Sequence, residues 1–271
     1  MTKSVSKMTV LLLKLAAPLQ SWGASSRFTE RTTRHEPSKS GVIGLLAAAL
    51  GRRREDPVDD LAALRFAVRV DQPGSFMRDF QTEHTRKWDS DTRRFVFNES
   101  LSLSKRDYLS DAVFVAALEG DEDLLAECAE ALHHPAFPLF LGRRSCPPST
   151  QVYLGLVDSP MMETLADVPW QATERHWNYA YRFRGDKPKE TVELKVVYEA
   201  TEEQAACTLS ETVRDVPLSF SQLKREYGWR TEATMRMAVK NPFWPFDDGR
   251  PTCTSIASEH DPFAILEEGS E

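Results

Sequence analysis

The stretch PLQSWGASSRFTERTTRHEPSKSGVIGLLAAALG, residues 18–51, joins a polar, basic loop to an apolar helix start. Pro37 fixes the entry, Ser38 or Ser40 can accept from the orphan amides of a first turn, and Gly51 stands where a left-handed stop is expected; a helix therefore runs between them. Val42, Leu45, Leu46 and Ala49 make its core face. Gly41, Gly44 and Ala48 make a second stripe of small residues, whose simpler explanation is tight packing on a sheet. Upstream, VLLLKLA at residues 10–16 is apolar enough for a buried strand, which Pro18 is expected to end. The loop between strand and helix carries Arg27, Arg31, Arg34 and Lys39 with Trp22 and Phe28. Cations and free amides suit phosphates and flat rings suit bases, so this loop fits single-stranded RNA; a solvated surface loop ahead of a core helix is the alternative.

Outward from this segment the periodicity continues. RFAVRV at residues 65–70 alternates with period two and turns Phe66, Val68 and Val70 to a core. A third strand lies within YLSDAVFVAAL, residues 108–118. A second helix follows over residues 121–133 with an acidic first turn, and VYLGLV at 152–157 is another strand. Strand, helix, strand, strand, helix, strand is the order of a ferredoxin-like (RRM-type) α+β fold, expected over residues 1–158. The connection over residues 72–105 is too long for a plain hairpin loop. Extended-looking segments at 77–83 and 94–103 flank KWDSDTRR, which suggests a projecting hairpin over about residues 75–106. Beyond Pro160, residues 176–184 (HWNYAYRFR) and 191–198 (TVELKVVY) are expected to pair as strands around GDKPK, with a further strand over 207–217. Residues 159–240 then form a smaller, sheet-rich C-terminal part. Residues 241–271, rich in proline and acid, read as an extended or disordered tail in which Phe243, Trp244 and Phe246 can pack on the body.

At 271 residues, with 41% hydrophobic and 28% charged, the composition is that of an ordinary globular protein. No apolar run approaches the roughly 20 residues of a spanning helix, and Lys14 breaks the only stretch that mimics a signal peptide, so a cytoplasmic location is expected. Four scattered cysteines, Cys128, Cys146, Cys207 and Cys253, form no CxxC pair and argue against a zinc site or disulfide framework. The carboxylates Asp56, Asp59 and Asp60 have no histidine beside them and suit helix capping better than a metal, and Gly41 and Gly44 lack the ending of a phosphate loop. No metal or other cofactor is expected. The formal charge of −7 hides an asymmetry: residues 1–54 hold ten Lys/Arg against Glu30 and Glu36, while residues 119–130 hold six acids and no cation. A basic face for nucleic acid and an acidic remainder are compatible with that distribution.

PLQSWG, the arginine-rich loop and PSKSGVIGLLAAALG together resemble the amino-terminal signature of the CasD family, subunits of the type I-E CRISPR surveillance complex Cascade. GRRSCP at residues 142–147 and RDVP at 214–217 are similar to later elements of the same family. The resemblance implies a non-catalytic RNA-binding subunit that caps the 5′ handle of the CRISPR guide RNA (crRNA). The CasC backbone subunits and the large CasA subunit would be its partners, and target DNA an indirect one. The implied RNA contacts are the helix start Ser38, Lys39 and Ser40, the loop residues Arg27, Arg31, Arg34 and His35, and Arg143 and Arg144 in a turn. Gln20 and Trp22 could address a base, although Trp22 fits core packing equally. The hairpin becomes a thumb whose Arg86, Lys87, Trp88, Arg93 and Arg94 reach toward the adjoining backbone subunit. The competing class is a metal-independent ribonuclease cutting repeat RNA. It would draw on His35, His84 and His176 with Tyr179, Tyr181 and Lys187, among which no pair has diagnostic spacing.

Overall fold

The computed structural model describes residues 9–23, 29–184 and 189–244. Strand β1 spans Thr9–Gln20, and a two-residue β2, Glu30–Arg31, precedes helix α1, Lys39–Ala49. A short α2, Asp59–Ala62, leads into β3, Arg65–Gln72. The long connection contains β4, Ser75–Gln81, β5, His84–Asp89, and β6, Arg94–Ser100, before β7, Ser104–Gly120. Helix α3, Glu122–His133, and β8, Tyr153–Val157, follow. The remainder holds α4, Met161–Asp167, α5, Glu174–Arg184, β9, Thr191–Glu199, α6, Glu202–Cys207, β10, Ser210–Ser219, and β11, Glu226–Lys240.

The fold is α+β and dominated by one antiparallel sheet in the order β10-β11-β9-β3-β7-β1-β8, with β2 and β4 attached to the first half of β7. Strands β5 and β6 form a separate two-stranded hairpin. The six elements expected over residues 10–157 are present in order as β1, α1, β3, β7, α3 and β8. The C-terminal strands continue this same sheet, because β9 pairs antiparallel with β3.

Both faces of the sheet are covered. Leu11, Leu13 and Leu15 of β1 pack with Val42 and Leu46 of α1 and Leu125 and Leu132 of α3. Val10 and Leu12 face the other way, toward Met161 and Leu165 of α4, Trp170 and Trp177. A strand buried on both sides has no need of alternation, which accounts for the unbroken VLLL run. Lys14 reaches the second face and donates to Gln171 Oε1 (3.1 Å). The same covering explains Arg69, which simple alternation would place in water and which is fully buried. Its guanidinium forks onto Asp71 at 2.8 Å through both Nε and Nη2, and donates to the carbonyls of Leu165, Val168 and Pro169 at the end of α4.

Three expectations change. Pro18 does not end β1, which runs on to Gln20: β8 pairs only Val10 to Leu13, so beyond them one side of β1 lacks a β8 partner and a missing N–H there costs little. Residues 176–184 form helix α5 rather than a strand, since Thr173 Oγ1 accepts from His176 N (3.2 Å) as a helix cap and Trp177 supplies the buried contact. The stretch expected as strand from Cys207 begins with α6, closed by a capping box between Thr201 and Gln204, and the strand starts at Ser210. In the last described segment, Phe243 stacks on Trp177 at 5.1 Å. Phe246 and the rest of the expected acidic tail lie outside the described residues. No helix among the described residues is long and apolar enough to cross a membrane.

Truncating Asp71→Ala would leave the Arg69 charge buried without its carboxylate. Denaturant unfolding of this variant should show a loss of about 3–5 kcal/mol; a loss under about 1 kcal/mol would mean that the carbonyls of 165–169 suffice to hold the guanidinium.

Candidate nucleic-acid interface

The start of α1 is well capped but not free. Ser38 Oγ accepts from Gly41 N at 3.3 Å, while Lys39 N donates to Asp215 Oδ2 of β10 at 2.8 Å. The Lys39 side chain is buried and pairs with Glu199 at 2.8 Å. Arg34 is drawn in likewise, to Glu232. Protein carboxylates therefore occupy the positions where phosphates were expected. Trp22 lies in the core and donates from Nε1 to Gln20 Oε1, and Gln20, fully buried, donates to the carbonyls of Leu15 and Ala112. Neither side chain is open to a base.

The chemistry expected of the loop gathers instead along the outer face of α1, in a groove of about 1150 Å³. That is larger than most drug-sized pockets, which run to about 1,000 Å³. Gly41, Gly44 and Ala48 form its floor. The small-residue stripe is therefore partly open, and only Gly41 is in close contact, since a Cβ there would stand 2.8 Å from the Trp22 ring. One wall is the segment from Phe137 to Pro147, anchored by Phe137 N on Ala48 O and Ala136 N on Ala49 O. The other comes from β10, β11 and the loop joining them, with Phe220 and Tyr227. An eleven-residue helix makes the floor about 16 Å long.

Six arginines line the groove, Arg52, Arg53, Arg54, Arg144, Arg214 and Arg225, against a single acid, Glu55. The triplet follows Gly51, whose φ of +77° turns the chain out of α1. Asp56 Oδ2 accepts from Arg53 N, and Asp60 takes both ends of the Arg52 guanidinium at 2.5 Å, a pairing that holds the Asp60 carboxyl below its ordinary pKa. Asp56 and Asp60 thus brace the turn, and Arg53 and Arg54 stay exposed. Across the groove, β10 and β11 shift register between Val213↔Arg230 and Val216↔Gly228, so that Arg214 and Asp215 together face Trp229. The two neighbouring side chains go different ways, as successive strand residues do. Asp215 turns inward to α1 and Arg230, and Arg214 turns to the groove.

The two neighbours in GRRSCP also separate. Arg144 lines the groove, whereas Arg143 lies over the Tyr108 ring at 4.7 Å and donates to Arg31 O at 2.7 Å. Ser40 lines the groove; Arg31 and His35 are exposed, with His35 edge-on to Phe76. Arg27 lies outside the described residues. On the β5–β6 hairpin, Trp88, Phe95 and Phe97 are all more than half exposed, Trp88 against Phe95 and His84 against Phe97. Arg86 is paired across from Phe97, Lys87 from Val96 and Arg94 from Asp89, while Arg93, at φ +51°, makes the turn. His35, His84 and His176 each meet a different ring, those of Phe76, Phe97 and Trp170. Lys187 and the Tyr181 side chain fall outside the described set. Among the described residues, no three of His, Cys, Asp and Glu are grouped to hold a metal. Cys128 is buried, its thiol pushed up to about 12 by that burial; Cys146 is buried and Cys207 exposed, each as a free thiol. Sequence reasoning missed Arg52, Arg53, Arg54, Arg214 and Arg225 as groove residues; three consecutive arginines directly after a helix stop were the signal available.

The chain matches a known family. Residues 10–232 fit the model described as CRISPR-associated protein (Cas_Cas5), and the chain belongs to that family. It is 34% identical to the CRISPR system Cascade subunit CasD of Escherichia coli (strain K12) over 160 residues, 54% of this chain and 70% of that protein. Among solved structures, a chain of a CRISPR RNA-guided surveillance complex is 33% identical with a TM-score of 0.66, covering 85% of this chain and 91% of its own length. A crystal structure of a Cas protein is 36% identical with a TM-score of 0.58, covering 86% and 95%.

Gly142 opens the turn that carries Arg143 and Arg144. Its φ is +88°, and a Cβ there would stand 1.7 Å from Ser21 O. Gly142→Ala should therefore cost at least about 3 kcal/mol, from left-handed strain plus the backbone clash. A thermal melt within a degree or two of wild type would show that this turn can relax.

Proposed function

We propose that this chain is a CasD-like, non-catalytic subunit of a CRISPR RNA-guided surveillance complex, and that its arginine groove holds the single-stranded 5′ handle of the guide RNA. The observation that carries the reading is the groove itself: six arginines and a set of aromatic rings that includes Phe137, Phe140, Phe220 and Tyr227, around a bare helix face, in a chain whose net charge is −7. Anion affinity of this kind is concentrated where a backbone is to be tracked and bases are to be stacked. The strand order β3-β7-β1-β8, with α1 and α3 as the crossovers, supports a ferredoxin-like scaffold beneath it.

Arg53, Arg54, Arg144 and Arg225 are the phosphate contacts in this reading, with Arg31, His35 and Ser40 extending the path toward the loop. The internally paired Lys39 and Arg34 hold the frame. The β5–β6 hairpin is the thumb, and its exposed Trp88, Phe95 and Phe97 face a CasC-like backbone subunit, with a CasA-like large subunit as a further neighbour. Exposed aromatic side chains grouped on one hairpin are what an assembly partner covers.

The test measures binding of single-stranded repeat RNA by the wild type and by the combined Arg53→Ala, Arg54→Ala, Arg144→Ala and Arg225→Ala variant across salt concentrations, without metal, scoring cleavage in the same samples. Wild-type affinity should fall steeply with salt. Four lost contacts should reduce the slope of log K against log salt by about 3. Equal slopes would remove the groove from the RNA path, and specific cleavage lost in His35→Ala would replace the non-catalytic reading by the ribonuclease one.

A further inference from the structure

One residue of the groove is built differently from its other arginines. The β10–β11 bulge places Arg214 over the Trp229 ring, with Cζ 5.7 Å from the ring centroid. Its Nε donates to Tyr227 O at 3.0 Å, a second anchor for the guanidinium beside the indole. Trp229 is 66% exposed, an unusual placement for the largest apolar side chain, and it belongs to neither buried core cluster. An exposed tryptophan that holds a flat cation on a groove wall beside Tyr227 and Phe220 makes little sense as packing. A guanidinium bonded through Nε and backed by an indole keeps its planar face and its terminal nitrogens for a ligand.

We propose that Arg214, backed by Trp229, is a stacking platform for one unpaired base of the RNA in the groove. This inference rests on the groove reading above and adds base recognition to it. Splayed bases of single-stranded RNA stack on guanidinium planes as readily as on aromatic rings. Arg53, Arg54, Arg144 and Arg225 then serve the backbone, and Arg214 serves a base face. The groove discriminates a strand with a free base at that position from the same phosphates without one, and from a duplex whose bases are already stacked.

Affinity for labelled oligoadenylate and for an abasic chain with the same number of phosphates, at one fixed salt concentration, tests the platform. Wild type should prefer oligoadenylate. Arg214→Lys, which retains the charge and loses the plane, and Trp229→Leu, which removes the backing ring, should each weaken oligoadenylate binding by about five- to 100-fold and leave the abasic chain unaffected. Trp229→Phe should restore most of the preference. Equal loss on both chains would make Arg214 a phosphate contact and overturn the inference, as would Arg214→Lys binding both like wild type. A wild type that binds both chains equally, with a normal salt slope, would sink the platform and spare the groove. Binding that is indifferent to salt and to the four-arginine variant would sink the groove itself.

Discussion

The carboxylate of Asp215 ties the C-terminal strands to the first helix, and the groove depends on that tie. It accepts from Lys39 N at 2.8 Å and from Arg230 at 2.6 and 3.0 Å, while Arg230 also donates to Glu232, which accepts from Arg34 as well and so holds the loop before α1. Lys39 to Glu199 adds β9. Three cations and three carboxylates thus connect the loop, α1, β9, β10 and β11. Buried charges tolerate little displacement, because a lost partner leaves the other ion desolvated and unpaired. Floor and wall of the groove are therefore locked in register before any ligand arrives. A preorganised site of this kind spends less of its binding free energy on ordering itself.

The same network explains which parts of the site were legible in the sequence. Arg34, Lys39 and the helix start at Ser38 have the composition of a phosphate site, and nothing local to them reveals otherwise. Their partners Glu199, Asp215 and Glu232 lie some 160 to 200 residues away, brought back only by β9 joining β3. Trp22 and Gln20 are equally ambiguous until the sheet closes around them. By contrast Ser38, Gly51 and the separate turn of GRRSCP were readable, since caps and positive φ are local matters. RDVP carries almost no information as four letters. Its meaning comes from the distant partners that give Arg214 and Asp215 opposite tasks, Tyr227 and Trp229 for the one and Lys39 and Arg230 for the other.

The fold divides in a similar way. The six elements β1, α1, β3, β7, α3 and β8 announce themselves through apolar periodicity. The C-terminal part does not, because its strands are half-covered: β11 runs fifteen residues with exposed Trp229, Met235 and Arg236 among buried Arg230, Ala233 and Val239. Aromatic richness made α5 look like strand, when the cap at Thr173 marked a helix. Where one sheet is covered on both faces, polar residues such as Arg69 enter the core with their partners, and a simple inside-outside pattern loses its force.

The charge distribution makes the arginines of the groove more informative than their number. The exposed acids of α3, Glu122, Asp123, Glu127 and Glu130, lie on a helix that packs against α1, so anions are repelled there while the groove side attracts them. A lysine-lined groove would satisfy the same electrostatics. All six groove cations are nevertheless arginines, and two are already held by protein groups, Arg52 by Asp60 and Arg214 by Tyr227 and Trp229. A point charge needs no such bracing. A planar fork does, because both bidentate phosphate contact and stacking depend on where its plane lies. In the proposed reading, the bracing of Arg214 suits a ligand that presents flat bases as well as phosphates, while Arg52, whose fork Asp60 already fills, braces the turn.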